Sequence, residues 1–162
     1  MSLNSELDDL TRMLDLAARE EAFRLFAGMT NWRFMLSATF RWVAGEDTAR
    51  HFWRAFVAQS NKRVFGKNYT RKVGHSYYSY LVGYERQARE AYHFHAVIGE
   101  PIEMAWAQQW LERVAGHTWV QRVESQVAAV RYCTKYIVKD GDVAAFRTKS
   151  VRLPAELPAW WY

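Results

Sequence analysis

Two histidines one residue apart are the first candidates for chemistry in this sequence. His93 and His95 flank Phe94 in the segment AYHFHAVIGE, residues 91–100, where residues alternate as in a β-strand. Because successive side chains of a strand point to opposite faces, both imidazoles project to the same side. Such a pair can make two bonds to one metal ion, and it also occurs as ordinary hydrogen-bonded surface histidine. The triplet alone is consistent with both interpretations.

A carboxylate upstream of the histidines favours the metal interpretation. Glu85 ends the preceding predicted strand, and a hairpin would bring it beside His93 and His95. Two imidazoles and one carboxylate leave an octahedral ion with open positions, and this mixed set accepts Mn²⁺ or Mg²⁺ when phosphate oxygens complete the shell. The alternative for Glu85 is a solvated acid at the end of a strand.

Two tyrosines near the end of the chain are candidate nucleophiles. Tyr132 and Tyr136 are four residues apart and therefore share one face of a predicted helix, and Lys135 and Lys139 each follow a tyrosine by three residues. A tyrosine that loses its proton can attack phosphorus, and a nearby lysine can offset the charge that develops. The structural alternative is that the rings pack in the core while the lysines face water.

Length, cysteine content and hydropathy limit the class of protein. The chain has 162 residues, which fits one domain with a core of its own. Its single cysteine, Cys133, excludes an internal disulfide and agrees with a reducing compartment. No apolar run reaches the ~18 residues of a membrane helix, and the acidic start MSLNSELDDL is unlike a signal peptide. We therefore expect a cytoplasmic protein without a membrane partner.

The net charge of +5 is unevenly distributed. The segment NKRVFGKNYTRK, residues 61–72, carries five cations and no acid, with Phe65 and Tyr69 between them. Cations follow phosphates while aromatic rings stack on bases, so we predict a loop that binds single-stranded DNA, with a solvated basic loop as the alternative. The predicted DNA contacts are Lys62, Arg63, Lys67, Tyr69, Arg71 and Lys72.

The first half of the chain reads as a helix followed by a mixture of strands and helices. Periodicity and turn residues predict an amphipathic helix over residues 5–26, a strand over 31–43, a helix from Asp47 or Thr48 to about Ser60, and strands over 76–85 and 92–99. The last two strands should form an antiparallel hairpin.

The second half continues the same alternation. Pro101 is expected to open a helix that ends at Gly116, residues 117–123 form a short strand, and Ser125 caps a last helix that closes at Gly141. The order α, β, α, β, β, α, β, α predicts an α+β fold, with a ferredoxin-like or RRM-like antiparallel β-sheet flanked by helices.

Three segments in this order resemble the HUH endonuclease superfamily, and within it the rolling-circle replication initiators of small plasmids and single-stranded DNA phages. MLSATFRW (35–42) resembles the first motif, YERQAREAYHFHAV (84–97) the metal motif, and VRYCTKYIVK (130–139) the tyrosine motif. The first motif departs from the pattern, because Ser37-Ala38-Thr39 stands where relatives tend to be more apolar and richer in threonine.

The resemblance implies a metal-dependent nicking endonuclease and strand transferase acting on single-stranded DNA or an origin hairpin, through a 5′-phosphotyrosine intermediate. Tyr132 would be the principal nucleophile and Tyr136 the second, while a separate helicase would unwind the duplex. The domains would be 1–30 (a helix packed on the domain), 31–150 (the HUH catalytic domain) and 151–162 (an aromatic and proline-rich tail). The implied residues are Mn²⁺ or Mg²⁺ ligands His93, His95 and Glu85, the catalytic pair of lysines Lys135 and Lys139, and DNA contacts Thr39 and Arg41.

Other functions remain open from the sequence. A transposase or relaxase on the same core, or a non-catalytic DNA-binding module, would use the same residues differently. A cupin-like site of His93, His95 and Glu100 fits less well, because Gln87 and Ala107 stand where that motif expects glycines and the predicted helices disagree with a barrel. The other histidines, His51, His75 and His117, are interpreted as structural or solvent-facing.

Overall fold

The computed structural model of the chain describes residues 3–74, 76–87, 90–138 and 142–148, without the side chains of 3–12, 133, 134, 136–138 and 142. The helices and strands follow one another as α1 (Leu3–Gly28), β1 (Phe34–Phe40), α2 (Glu46–Phe65), α3 (Tyr69–Val73), β2 (Tyr80–Arg86), β3 (Tyr92–Ile98), α4 (Met104–Val114), β4 (Gly116–Arg122), α5 (Gln126–Val138) and β5 (Asp142–Phe146).

The five strands form one antiparallel sheet in the order β4-β1-β3-β2-β5. Its first four strands, with α2 and α4 between them, follow the β-α-β-β-α-β pattern of ferredoxin-like folds. Helix α5 and strand β5 are added after this unit, with β5 next to β2. The predicted α+β fold with a helix-flanked antiparallel sheet is therefore confirmed.

The two faces of the sheet bury different amounts of apolar surface. One face packs under α2 and α4 in a large aromatic core that includes Phe40, Trp53 and Phe94. The opposite face packs with α1 and α5 in a smaller core around Leu81 and Val97. Because each fully buried apolar side chain contributes about 1.5–3 kcal/mol, the large core stabilises most of the fold. The smaller core leaves part of the second face to the polar residues His93 and His95.

The basic segment 61–72 is mostly helical, so the prediction of a loop there is wrong. Helix α2 continues to Phe65, and α3 follows after a short turn. The extension is stabilised by Asn61, which is buried, donates to the carbonyl oxygen of Val57 at 2.7 Å and accepts from the backbone N–H of Tyr77 at 2.7 Å. Gly66 ends α2 with a φ of 78°, a conformation that glycine adopts without strain.

Helix α4 begins and ends differently from its prediction. It starts at Met104 rather than Pro101, because Glu103 stays extended and its carboxylate binds Arg63. It ends at Val114 with Ala115 as its C-cap, since Gly116 already belongs to β4 with a φ of 127°. A Cβ atom at Gly116 would overlap the side chain of Arg41, and a φ of 127° is one that residues with a side chain rarely adopt, so the position favours glycine.

The last two elements give a mixed result. Ser125 caps α5 as predicted, because its Oγ accepts a hydrogen bond from the backbone N–H of Ala128 at 3.3 Å. Strand β5 is an element that the sequence patterns do not predict, and the expected helix end at Gly141 and the tail 151–162 lie outside the described residues. Across the described part of the chain, no helix combines the length and the apolar character needed to cross a membrane.

Candidate active site

The sheet face that packs against α5 carries two rows of polar and aromatic residues. In the first row, Glu85 of β2 pairs with His93 of β3, which pairs with Thr39 of β1, which pairs with His117 of β4. The second row lies two residues along each strand and contains Gly83, His95, Ser37 and Trp119 in the same order. Paired residues of antiparallel strands share a face, so both rows point toward the same side.

Glu85, His93 and His95 lie close enough together to bind a single ion. Nε2 of His93 lies 2.8 Å from Oε2 of Glu85 and 3.1 Å from Nε2 of His95. One ligand atom from each residue lies within 4.8 Å of the others. His93 is only 8% exposed, whereas Glu85 and His95 are partly exposed. The cluster therefore opens toward solvent on the side of Glu85 and His95. Two imidazole nitrogens and one carboxylate oxygen are a donor set that fits a divalent ion with open positions.

Gln87 supports His93 from behind. Its side-chain nitrogen lies 2.6 Å from Nδ1 of His93, and its backbone N–H donates to the carbonyl oxygen of Ala91 at 2.9 Å, which closes the turn after β2. A histidine that binds a metal through Nε2 carries its proton on Nδ1, so the Gln87 amide would then turn its oxygen toward that N–H. No motif of the sequence marks Gln87, although its spacing two residues after Glu85 places it on the same side of the chain just beyond β2.

Tyr132 reaches the cluster through His95. Its hydroxyl forms a hydrogen bond with Nδ1 of His95, and the two rings meet edge to face with centroids 5.3 Å apart. Helix α5 is held there because the Gln126 side chain accepts from the backbone N–H of Trp32 at 2.9 Å and donates to its carbonyl oxygen at 2.7 Å. A ring N–H that faces a phenol oxygen stabilises a phenolate, which is the form that attacks.

Four other predicted site residues belong to the end of β1 or to the tyrosine motif, and the structure describes the side chains of two of them. Lys135 is exposed on α5 one turn after Tyr132, and Arg41 follows β1 with its stem against Gly116. Tyr136 lies on α5 as well, but its side chain and all of Lys139 lie outside the described residues. The structure thus brings Glu85, His93, His95, Tyr132 and Thr39 together at one end of the sheet.

The predicted basic contacts lie at the other end and on the other face. Helix α2 starts near the cluster, where the backbone N–H of Tyr92 donates to the carbonyl oxygen of Ala44 at 2.9 Å, and it ends where Phe65 packs on Tyr77. Lys62, Lys67, Tyr69 and Arg71 lie at this far end. The other two predicted DNA contacts, Arg63 and Lys72, interact with protein groups there. Arg63 binds Glu103 and lies over the ring of Trp106, and Lys72 donates to the carbonyl oxygen of Phe65 at 3.0 Å.

Glu100 is not part of the cluster, so the cupin-like alternative is wrong. Its carboxylate accepts hydrogen bonds from the backbone N–H of Ser79 and, at 2.8 Å, from its hydroxyl, beyond the far end of β3. Burial raises the pKa of Glu100 to about 7, against the lowering effect of the Ser79 hydrogen bonds and of Arg33. Of the three remaining histidines, His51 is exposed on α2, His117 is exposed on β4, and His75 lies outside the described residues.

Comparison with known proteins gives one finding on family. A family model described as replication-associated protein ORF2 matches residues 33–141, which is more than half of the 162-residue chain. The matched part runs from before β1 to beyond α5 and contains the histidine–glutamate cluster and Tyr132. No curated protein and no solved structure matches the chain.

Proposed function

Because the chain belongs to the family of replication-associated protein ORF2, we propose that it is an HUH-type nicking endonuclease and strand transferase that initiates rolling-circle replication. Its substrate would be single-stranded DNA or an origin hairpin. The observation that carries this proposal is the hydrogen bond between the Tyr132 hydroxyl and the His95 imidazole. Nε2 of the same imidazole faces His93 and Glu85. A nucleophile and a metal-binding set are thereby joined at one point.

Glu85, His93 and His95 would hold Mn²⁺ or Mg²⁺, as the two imidazole nitrogens and the carboxylate suggest. When bound, such an ion polarises a non-bridging phosphate oxygen as a Lewis acid. Gln87 would keep His93 oriented for this role by accepting its Nδ1 proton.

Tyr132 would attack the phosphorus atom of one phosphodiester. A bond forms from its phenolic oxygen to phosphorus, and the bond from phosphorus to the 3′ oxygen breaks. The phenolic proton passes to water, and the leaving 3′ oxygen takes up a proton. The Nδ1–H of His95 would stabilise the phenolate, and the Lys135 ammonium, one turn away, would offset phosphate charge. The number of phosphoester bonds is unchanged, so the step is readily reversible.

The products suit replication. The 5′ end of the strand stays bonded to the protein, and the free 3′ hydroxyl can prime synthesis. Tyr136, one helical turn after Tyr132 on α5, would accept a second strand while Tyr132 remains loaded. Unwinding of the duplex would fall to a separate helicase.

The direct test uses single-stranded DNA from the replicon origin, labelled at its 3′ end. We expect a denaturation-resistant protein–DNA band with MnCl₂ or MgCl₂ and none with EDTA. A 5′-labelled strand should be shortened without becoming attached to the protein. DNA binding with no covalent band in any metal would contradict the proposal and favour a non-catalytic DNA-binding module.

A further inference from the structure

Trp119 is a large apolar side chain on the polar side of an edge strand. Its ring is 37% exposed, whereas Trp32 and Trp53 are each 1% exposed. Strand β4 alternates, so Thr118 faces α4, where its carbonyl oxygen and hydroxyl accept from the Gln108 amide, and Trp119 faces the opposite side. Since β4 ends the sheet, no strand of the described residues lies beyond Trp119. The apolar ring is therefore left beside the candidate active site.

The ring lies next to the candidate nucleophile. The centroids of Trp119 and Tyr132 are 6.2 Å apart with an angle of 63° between the planes, so the two rings meet at an edge. Trp119 also shares its row of the sheet with Ser37 and His95. A phosphate that reaches the Tyr132 hydroxyl therefore lies close to the exposed indole.

The elements beside Trp119 carry no acid. Lys135 is exposed on α5 one turn after Tyr132, and neither β4 nor the segment 126–138 contains an acid. An aromatic ring near a cation and away from acids is complementary to a single strand, because the cation attracts phosphate and the ring accepts the face of any base.

We propose that Trp119 is a stacking platform for one base of the single strand, next to the phosphate that Tyr132 attacks. The inference rests on the proposed function for the identity of the reacting phosphate. It assigns a base-binding role to a residue outside the segments that resemble family motifs. It also places the DNA strand along the β4 edge of the sheet. The rival role for this ring is to hold Tyr132 in place without touching DNA.

The test measures affinity without cleavage. Fluorescence anisotropy with a short fluorescein-labelled oligothymidylate, in EDTA, compares the wild type with Trp119→Phe and Trp119→Leu. Because one base–aromatic stack is lost, Trp119→Leu should weaken binding by about tenfold, while Trp119→Phe retains most of the affinity. The dependence of affinity on salt should keep its slope, since stacking releases no counterions.

Trp42 supplies the matched control. It is 47% exposed, but its ring lies on Phe40 and Phe52, on the face covered by α2. Trp42→Leu removes a similarly exposed indole away from Tyr132, so it should leave oligothymidylate affinity unchanged. Photocrosslinking of 5-iodouracil-substituted DNA to the wild-type chain requires no variant to fold, and we expect the crosslinked peptide to contain Trp119.

Several results would overturn the inference. The wild type could fail to bind oligothymidylate, Trp119→Leu could bind it with wild-type affinity, or every crosslinked peptide could lack Trp119. Slower adduct formation at unchanged affinity would also overturn it, by assigning the ring to positioning Tyr132. The proposed function is tested separately, because it is contradicted if the wild type forms no metal-dependent adduct. In that case, a tenfold effect of Trp119→Leu on affinity would still support the stacking site.

Discussion

The histidine–glutamate–tyrosine cluster and the basic segment 61–72 occupy opposite ends of the same sheet. The cluster draws Glu85, His93 and Tyr132 from three elements, and its hydrogen bonds run from one residue to the next. The basic segment is contiguous in sequence, yet its cations are distributed around α2, α3 and the turn between them. Residues that can do chemistry together are thus those that the sheet register and the packing of α5 bring together. A run of like charges identifies a surface but not its distance from the site.

The largest effect is expected when the cluster itself is broken. The double variant His93→Ala, His95→Ala should lose at least about 10³-fold in the proposed metal-dependent cleavage, because the proposed ion would lose two of its three protein ligands. His51→Ala is the control, since His51 is exposed on α2 outside the cluster. Thermal melting shows whether the double variant still folds, and cleavage at the wild-type rate by a folded double variant would remove the metal role from the cluster.

Removing the support behind the cluster should have a smaller effect. Gln87→Leu deletes the partner of His93 Nδ1, so we expect Mn²⁺ affinity to fall about 10- to 100-fold, with a much smaller change in kcat at saturating metal. Gln87→Glu should restore part of the affinity, because a carboxylate also accepts the Nδ1 proton. Calorimetric titration with Mn²⁺ measures both variants. Equal affinities of Gln87→Leu and the wild type would show that Gln87 does not orient His93.

The core of the site could be predicted because its geometry follows from short periodicities. Alternation in β3 places His93 and His95 on one face, and a hairpin register then brings Glu85 alongside, as the structure has it. Ser125 marks the start of the helix that carries Tyr132. What links Tyr132 to His95 is the packing of α5 on the sheet, which no local pattern encodes.

The errors have equally physical causes. The charge of segment 61–72 suggests a loop, whereas buried Asn61 and the apolar positions before Gly66 continue the helical period. Strand β5 is a five-residue run, DVAAF, whose strand character depends on pairing with β2. Trp119 escapes sequence analysis because edge exposure becomes visible only once the strand order is known, although its alternation with Thr118 and Val120 already places it with His117.

Neutralising cations of the basic segment 61–72 should distinguish its DNA contacts from those of the cluster, because only a long strand can reach both regions. In the variant Lys62→Gln, Lys67→Gln, Arg71→Gln, the log–log slope of affinity against salt should fall by about 2 on a long single strand, since each lost phosphate contact removes ~0.7. On a short strand that covers only the candidate active site, the slope should stay as in the wild type. The same decrease on both strands would mean that the short strand already reaches the basic segment, against the placement of the two regions at opposite ends of the sheet.

The smallest effect concerns stability at the far end, through Glu100. Its pKa is raised to about 7 from 4.5, chiefly by burial, so the folded state binds this proton more tightly than the unfolded state does. Its contribution to stability is therefore greatest below about pH 4.5 and declines as the pH rises to about 7. The decline should amount to about 1–2 kcal/mol after allowance for partial exposure.

The matched variant for this effect is Glu100→Gln, which keeps an acceptor for Ser79 and cannot ionise. Urea unfolding of both proteins across this pH range should show the wild type losing stability relative to Glu100→Gln as the pH rises. Parallel curves would indicate that the carboxyl group titrates alike in the folded and unfolded chains. Adduct formation by Glu100→Gln should match the wild type, because Ser79 and Glu100 lie away from the cluster.

The central claim, that Tyr132 is the principal nucleophile, is tested most directly by mass spectrometry of the peptide trapped on single-stranded origin DNA with Mn²⁺. We predict a nucleotide adduct on Tyr132, lost in Tyr132→Phe, which keeps the ring packing and removes only the attacking oxygen. Tyr136→Phe should retain the first adduct and lose more in strand transfer. An adduct found only on Tyr136, or on neither tyrosine, would contradict the account.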